Sequence, residues 1–218
     1  MYQSHDLRYL MDCITKRCAV PSPQTVASSF GQRHSAPSFT DIEIMPLRSR
    51  ALVAYLQERG IPAQIATEHC RQVHYSCRGN RYYAVGFANE SGGYELRNKY
   101  FKGCIAPKDI SLRRIRDGPT NEVAVFEGFI DYLSWLTIYG RPDMDAIILN
   151  SVSNVGKAIQ HLHDYGAIHC YLDNDDAGST AMTKLSDKFD SIVIDHRNAY
   201  LGFADINDYL RAVQGLIH

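Results

Sequence analysis

The stretch YLDNDDAGSTA, Tyr171–Ala181, places three carboxylates, Asp173, Asp175 and Asp176, directly after an apolar run and directly ahead of a helix-like segment. Aspartate is a poor strand former and packs badly in cores. Like charges this close repel unless something positive sits among them. A solvated turn with an acidic helix N-cap is the plain reading, and a metal site is the sharper one. The flanking sequence decides between them.

Around this stretch the chain has a regular rhythm. VAVF (123–126) is a short buried strand, FIDYLSWLTIYG a helix ended by Gly140, and AIIL (146–149) a second strand. A helix over about 154–165 leads to the strand AIHCYL (167–172), then a helix from Ala177 to about Lys188, the strand SIVI (191–194) and a closing helix in INDYLRAV. Alternating strands and helices predict an α/β fold with a mainly parallel sheet flanked by helices. In such sheets ligands bind beyond the carboxyl ends of the strands. Glu127 follows the first strand, Asp173 and Asp175 the third, and Asp205 and Asp208 the fourth, so all five are expected on one rim. Independent solvated turns would not need that agreement.

Upstream, residues 1–44 read as a linker or disordered arm, because VPSPQTVASSFGQRHSAPSFT is rich in Ser and Pro with little periodicity. A helix is expected from about Arg48 to Arg59, stopped by Gly60, and a shorter one after Pro62. VHYSC and RYYAVGFAN alternate like strands, and SGG at 91–93 reads as a turn into YELRNKYF. Residues 45–118 therefore form a small basic α+β subdomain, RDGPTNE marks a boundary, and 119–218 carry the parallel sheet.

At 218 residues, 45% hydrophobic and 22% charged, the chain can bury a real core. Its net charge of −1 hides an asymmetry: residues 1–120 hold 17 Lys and Arg against 10 Asp and Glu, and residues 121–218 hold 6 against 14. A basic half suits a polyanion, and an acidic half suits divalent cations or solubility. No run reaches a membrane span, and MYQSHDLRYL lacks a signal peptide's apolar core. Six scattered cysteines, with Cys13 and Cys18 lacking a second pair to complete a zinc site, read as reduced thiols in a cytoplasmic protein. Oxygen donors with few His or Cys nearby suit Mg²⁺ or Mn²⁺. The nine histidines show no HxxxH or HExxH spacing, and no GxxxxGK[ST] is present.

FEGFID followed by a βα interval and LDNDDAG resembles the Toprim signature, a Glu and then a DxD pair, and within it the bacterial DNA primases, with their EGYxD and DGDxAG motifs. The resemblance carries Glu127 and Asp131 onto the first motif and Asp173, Asp175, Ala177 and Gly178 onto the second. ADINDYL is similar to a later D-P-D-x-L element, with Asp205 and Asp208 in the acidic places. YLQERGIPAQIATEH and GFANESGGYELRNKYFKG are similar to segments ahead of the Toprim domain in these enzymes, and carry Arg97, Lys99 and Lys102 over as nucleic-acid contacts. Asn174 and Asp176 stand where the family has Gly and Arg, which implies a more acidic pocket.

The resemblance implies a Mg²⁺- or Mn²⁺-dependent nucleotidyltransferase that makes RNA primers from nucleoside triphosphates on single-stranded DNA. Its catalytic residues would be Glu127, Asp173 and Asp175, and its metal ligands these three with Asp205 and Asp208. Glu127 is open to a role as general base or as ligand. No Cys/His zinc module is legible in the chain: it was removed, sits on another protein or never existed, and a helicase or a separate zinc-binding module is among the partners the resemblance implies; the short form is similar to primase-like proteins of mobile elements. A Toprim nuclease and a non-catalytic nucleic-acid-binding mobilisation module are the alternatives. Tyr82, Tyr83, Tyr94, Tyr100 and Phe101 suit either base stacking or packing on the sheet.

Overall fold

Apolar alternation in the first half builds antiparallel hairpins, and unbroken apolar runs in the second build parallel strands. The computed structural model describes residues 39–140 and 143–217. The expected arm up to residue 38, with Cys13 and Cys18, lies outside them.

The first sheet comprises β1 (Thr40–Pro46), β2 (Arg71–Cys77), β3 (Asn80–Ala88), β4 (Tyr94–Asn98) and β5 (Phe101–Ile105), each antiparallel to the next in that order. Helices α1 (Arg50–Glu58) and α2 (Ala63–His69) lie between β1 and β2. Ser49 caps α1 by accepting from the Leu52 amide. The β2–β3 turn uses Arg78 and Gly79, both at positive φ (52° and 80°), as a two-residue hairpin with right-handed strand twist requires. The chain enters β1 at Thr40, inside the stretch read as an arm: the alternation of Ile42 and Ile44 was hidden by the Ser/Pro-rich run before it.

The second sheet has the spatial order β10–β9–β7–β8–β6. It is built from β6 (Ser111–Arg113), β7 (Glu122–Phe126), β8 (Asp145–Ile148), β9 (Ala167–Tyr171) and β10 (Val193–Asp195). Pairing is parallel except for β6 against β8. Its helices are α3 (Phe129–Tyr139), α4 (Val155–Leu162), α5 (Asp176–Phe189) and α6 (Ile206–Val213). The mixed α/β architecture with helices around a largely parallel sheet matches the fold class read from sequence. The last strand begins two residues later than the expected 191–194, because Asp190–Ile192 form a 3-10 turn out of α5. Strand β6 comes from upstream of the expected boundary, so residues 111–113 belong to the second sheet.

One core joins the two sheets. Leu52 and Leu56 of α1, Phe87 of β3, Phe126 of β7 and Phe129 of α3 are all buried in it. Phe87 stacks on Phe129 at 5.1 Å, and the Arg113 guanidinium lies 4.2 Å over the Phe87 ring. A second core on the far face packs Val125 and Ile147 against Leu162 and Leu185. The described residues form one compact unit. Among the described residues, no helix is long and apolar enough to cross a membrane.

The segment linking the sheets is tied to a buried carboxylate. Asp145, fully buried, accepts from the amides of Ile115 (3.1 Å) and Thr120 (3.2 Å) and from the Tyr165 hydroxyl (2.9 Å), with Arg114 at 3.6 Å. Removing such an acceptor strands several buried donors at once. Asp145→Ala is expected to lower unfolding free energy by about 3 kcal/mol, read from urea denaturation.

Candidate functional site

Parallel pairing of β7 with β9 puts Phe126 opposite Tyr171, so the chain leaves both strands at the same edge. Glu127 is the next residue after β7, and Asp173 lies two residues beyond β9. Three helices begin at this edge. Gly128 caps α3, and its amide donates to Asp131 Oδ2 (3.1 Å). Asp175 caps α5, accepting from the Gly178 amide (2.8 Å), and Asp205 caps α6, accepting from the Asp208 amide (2.7 Å). Gly178 permits the close approach: a Cβ there would sit 2.1 Å from the Asp173 carbonyl oxygen. Gly128 sits at an ordinary extended φ of −129°, so its turn does not demand glycine.

Asp205 is far along the chain from Asp173, and Asn174 brings the two segments together. Its amide side chain donates to the carbonyls of Tyr200 (3.2 Å) and Phe203 (3.0 Å), while its backbone N–H donates to Ala204 (2.7 Å). The buried Tyr200 hydroxyl donates to the Leu172 carbonyl (2.7 Å), closing the clip from the other side. Asn207, also buried, donates to the Arg59 carbonyl (2.7 Å) and Ser134 Oγ (2.9 Å), pinning α6 to α1 and α3.

The carboxylates feel one another. Burial raises the pKa of Glu127, and the charges of Asp175 and Asp205 raise it further, while Lys102 and the Asp173 amide pull it down. Burial pushes Asp173 up to about 7, reinforced by Glu127, Asp205 and Asp175. Asp131, buried, is raised well above the ordinary range by desolvation and then by Asp173, Asp205 and Glu127. Asp205 is raised by burial, against the Asp208 amide and Arg59. Glu127 Oε2 is buried with no hydrogen-bond partner. Among the described residues no three His, Cys, Asp or Glu side chains are grouped closely enough to hold a metal ion by themselves. Oxygen donors that repel one another, one of them carrying an unspent buried oxygen, fit a hard divalent cation completed by water and phosphate oxygens.

The first sheet supplies the counter-charge. Val85, Arg97 and Lys102 are register partners across β3, β4 and β5, so they project from one face. Arg97 is desolvated, which lowers its pKa, but Tyr55 and Asp131 hold it up, and Lys102 acts on Glu127 and Asp173. Lys99, in the β4–β5 turn, pairs instead with Glu58 (3.3 Å) at the surface. Asp208 pairs with Arg211 (3.3 Å), and Asp176 is exposed in the first turn of α5.

Sequence reasoning did not single out Arg59 and Arg211, which with Tyr55, Glu58 and Lys99 line a cleft of about 180 Å³. Arg59 donates to Asn207 Oδ1 (3.1 Å), and Arg211 Nε is buried without a partner. The signal for Arg59 was its place at the last turn of α1 ahead of Gly60; Arg211 gave none, because its relevance depends on how α6 docks.

Comparison with known proteins gives two family matches. Residues 124–210 match a family described as Toprim-like, and residues 41–106 match a domain of unknown function (DUF8464). No curated protein matches the chain in a sequence search. Among solved structures, the primase fragment of the bacteriophage T7 primase-helicase protein superposes with a TM-score of 0.55 at 18% identity, over 94% of this chain and 81% of that one. A structure of the bacteriophage T7 lagging-strand DNA polymerase interacting with primase domains bound to an RNA/DNA hybrid and dTTP gives 0.53 at 16% identity, over 78% of this chain and 91% of that one. At this identity the likeness shows the fold.

A carboxylate with a raised folded-state pKa binds its proton more tightly folded than unfolded, so its contribution to stability is complete below the unfolded value and is lost as pH rises through the folded one. For Asp173 that window runs from 3.8 to about 7. Asp173→Asn should therefore raise the thermal midpoint relative to the parent more at pH 8 than at pH 4.5, in metal-free buffer. An equal shift at both pH values would show that folding does not raise the Asp173 pKa.

Proposed function

We propose, from the premise that this chain is a Toprim-domain protein with a primase-like fold, that it is a primase-type nucleotidyltransferase extending RNA on a single-stranded DNA template. What supports this reading most is that Glu127, Asp173 and Asp205, from three separate segments, influence one another's charge, that Lys102 of the other sheet acts on the first two, and that Arg97 acts with the neighbouring Asp131.

Glu127, Asp173 and Asp175 would hold Mg²⁺ or Mn²⁺, with Asp205 and Asp208 at the margin of the same rim. Such a cation polarises a phosphoryl oxygen and lowers the pKa of an attacking hydroxyl. Asp175 and Asp205 each accept a helix-cap hydrogen bond through one oxygen, and the second oxygen of each would be the donor to the cation. Glu127 Oε2 is unspent and can accept the proton of the ribose 3′-hydroxyl or serve as a ligand. Arg97 and Lys102 would draw the triphosphate toward the acids and offset charge on the departing pyrophosphate. A helicase or a separate zinc-binding module is the partner this reading calls for.

The test is incorporation of labelled NTPs on single-stranded DNA with Mg²⁺ or Mn²⁺. Asp173→Ala and Glu127→Gln should fall to background while retaining a cooperative thermal transition. Plasmid nicking without incorporation would replace polymerisation by hydrolysis, and undiminished function in both variants would make the chain a binding module. Replacing Arg97, Lys99 and Lys102 together by Ala should reduce the salt slope of single-strand binding by about 0.7 for each phosphate no longer neutralised. An unchanged slope removes them from the interface.

A further inference from the structure

We propose that the tyrosine-lined cavity beside α1 is a base-stacking subsite that holds the single-stranded template ahead of the carboxylate rim. This rests on the nucleic-acid reading above and extends it to residues with no contact to the acids.

The cavity has a volume of about 350 Å³ and is floored by Ala51 and Leu52. Tyr82, Tyr83 and Tyr100 line it at 40%, 45% and 76% exposure, far more than sheet packing requires. Tyr82 and Tyr83 are neighbours on β3, so they point to opposite faces. Tyr82 is stacked on Tyr75 (5.7 Å), a residue of the outer cluster. Tyr83 is two residues from Val85 and shares its face, the one that presents Arg97 and Lys102. Among the described residues no ring stacks on Tyr100. The His74 ring lies tilted against Tyr83 at 5.9 Å and covers part of it, so Tyr100 is the open π-face and Tyr83, 45% exposed, a partly covered one.

Cations mark the route between this cavity and the site. Arg81 and Lys99 line it, each held only by a surface ion pair, to Glu43 (3.2 Å) and Glu58 (3.3 Å), with more than half of every side chain exposed. Pairs of that kind contribute about 0–1 kcal/mol, so a phosphate can take either cation. Tyr55, Glu58 and Lys99 also line the cleft that holds Arg59 and Arg211, beside Asp205 and Asp208. One track of alternating aromatic and cationic groups thus runs from the tyrosines to the rim. Aromatic faces with backbone cations, and no base-edge code, suit a single strand read without sequence preference.

The experiment is fluorescence anisotropy of a labelled single-stranded oligonucleotide with the full chain in metal-free buffer. Tyr83→Ala and Tyr100→Ala should each weaken binding by between about fivefold and about a hundredfold, whereas Tyr83→Phe and Tyr100→Phe should keep the parent affinity. Oligonucleotides with a single abasic site should reveal one position whose base matters to the parent and not to the double alanine variant. Alanine variants that bind like the parent, a flat abasic profile, or loss of ATP binding with DNA binding intact would each overturn the subsite. Because Tyr100 is largely exposed, its variants keep the fold, which a thermal midpoint checks. Parent protein that binds DNA and shows the tyrosine effect without incorporating NTPs would end the polymerase reading alone. NTP incorporation with unaltered alanine affinities would end the stacking subsite alone, and a parent that does not bind DNA would end both.

Discussion

Burial of Glu127, Asp131, Asp173 and Asp205 at one edge, compounded by repulsion among carboxylates, is the constraint around which this structure is arranged. Nothing in the apolar cores favours gathering four carboxylates at one edge, so other interactions must hold them. Three helices begin there, at Gly128, Asp175 and Asp205, so their positive N-terminal ends converge on the negative charge. Backbone amides of Gly128, Gly178 and Asp208 add charge-assisted hydrogen bonds. What remains uncompensated shows as raised pKa values and an unpartnered Glu127 oxygen, which is the condition of a site preorganised for a positive ligand.

The antiparallel sheet shares this work. Its position is fixed by a continuous apolar core and by Asn207, which hydrogen-bonds both Arg59 of the first half and Ser134 of the second. That docking turns one sheet face, with Arg97 and Lys102, toward the acids. Among the described residues, Lys102 of the basic sheet is thus placed to offset the acidic edge. Separated, the acidic edge would lose its nearest cations and the basic sheet would expose Phe87.

The parallel strands and the helices after them were legible because apolar runs and 3.6-residue periodicity report burial directly, as VAVF, AIIL and AIHCYL do. The chain positions of Glu127, Asp173, Asp175 and Asp205 could be read as strand-end acids for the same reason. Other features depend on packing that no local pattern encodes. Strand β6 is three residues long and pairs with a partner more than thirty residues away. The clip made by Asn174 needs carbonyls near residue 200, and the roles of Arg59 and Arg211 appear only once α6 has docked. Lys99, carried over with Arg97 and Lys102 by the resemblance, sits in a turn where it pairs with Glu58, a placement that no local pattern encodes.

Asn174 and Asp176 show how a departure from a motif can be misjudged from residue type alone. Read as chemistry, the two changes promise a more acidic pocket. In the folded chain Asp176 lies exposed in the first turn of α5, and Asn174 spends its side chain on two carbonyls of the loop before Asp205. A glycine at 174 would keep the backbone path and lose both of those bonds, loosening the hold on the segment that delivers Asp205. The asparagine therefore acts on the site through geometry: it fixes how near a distant carboxylate approaches Asp173, and hence how strongly the rim repels itself and favours a cation.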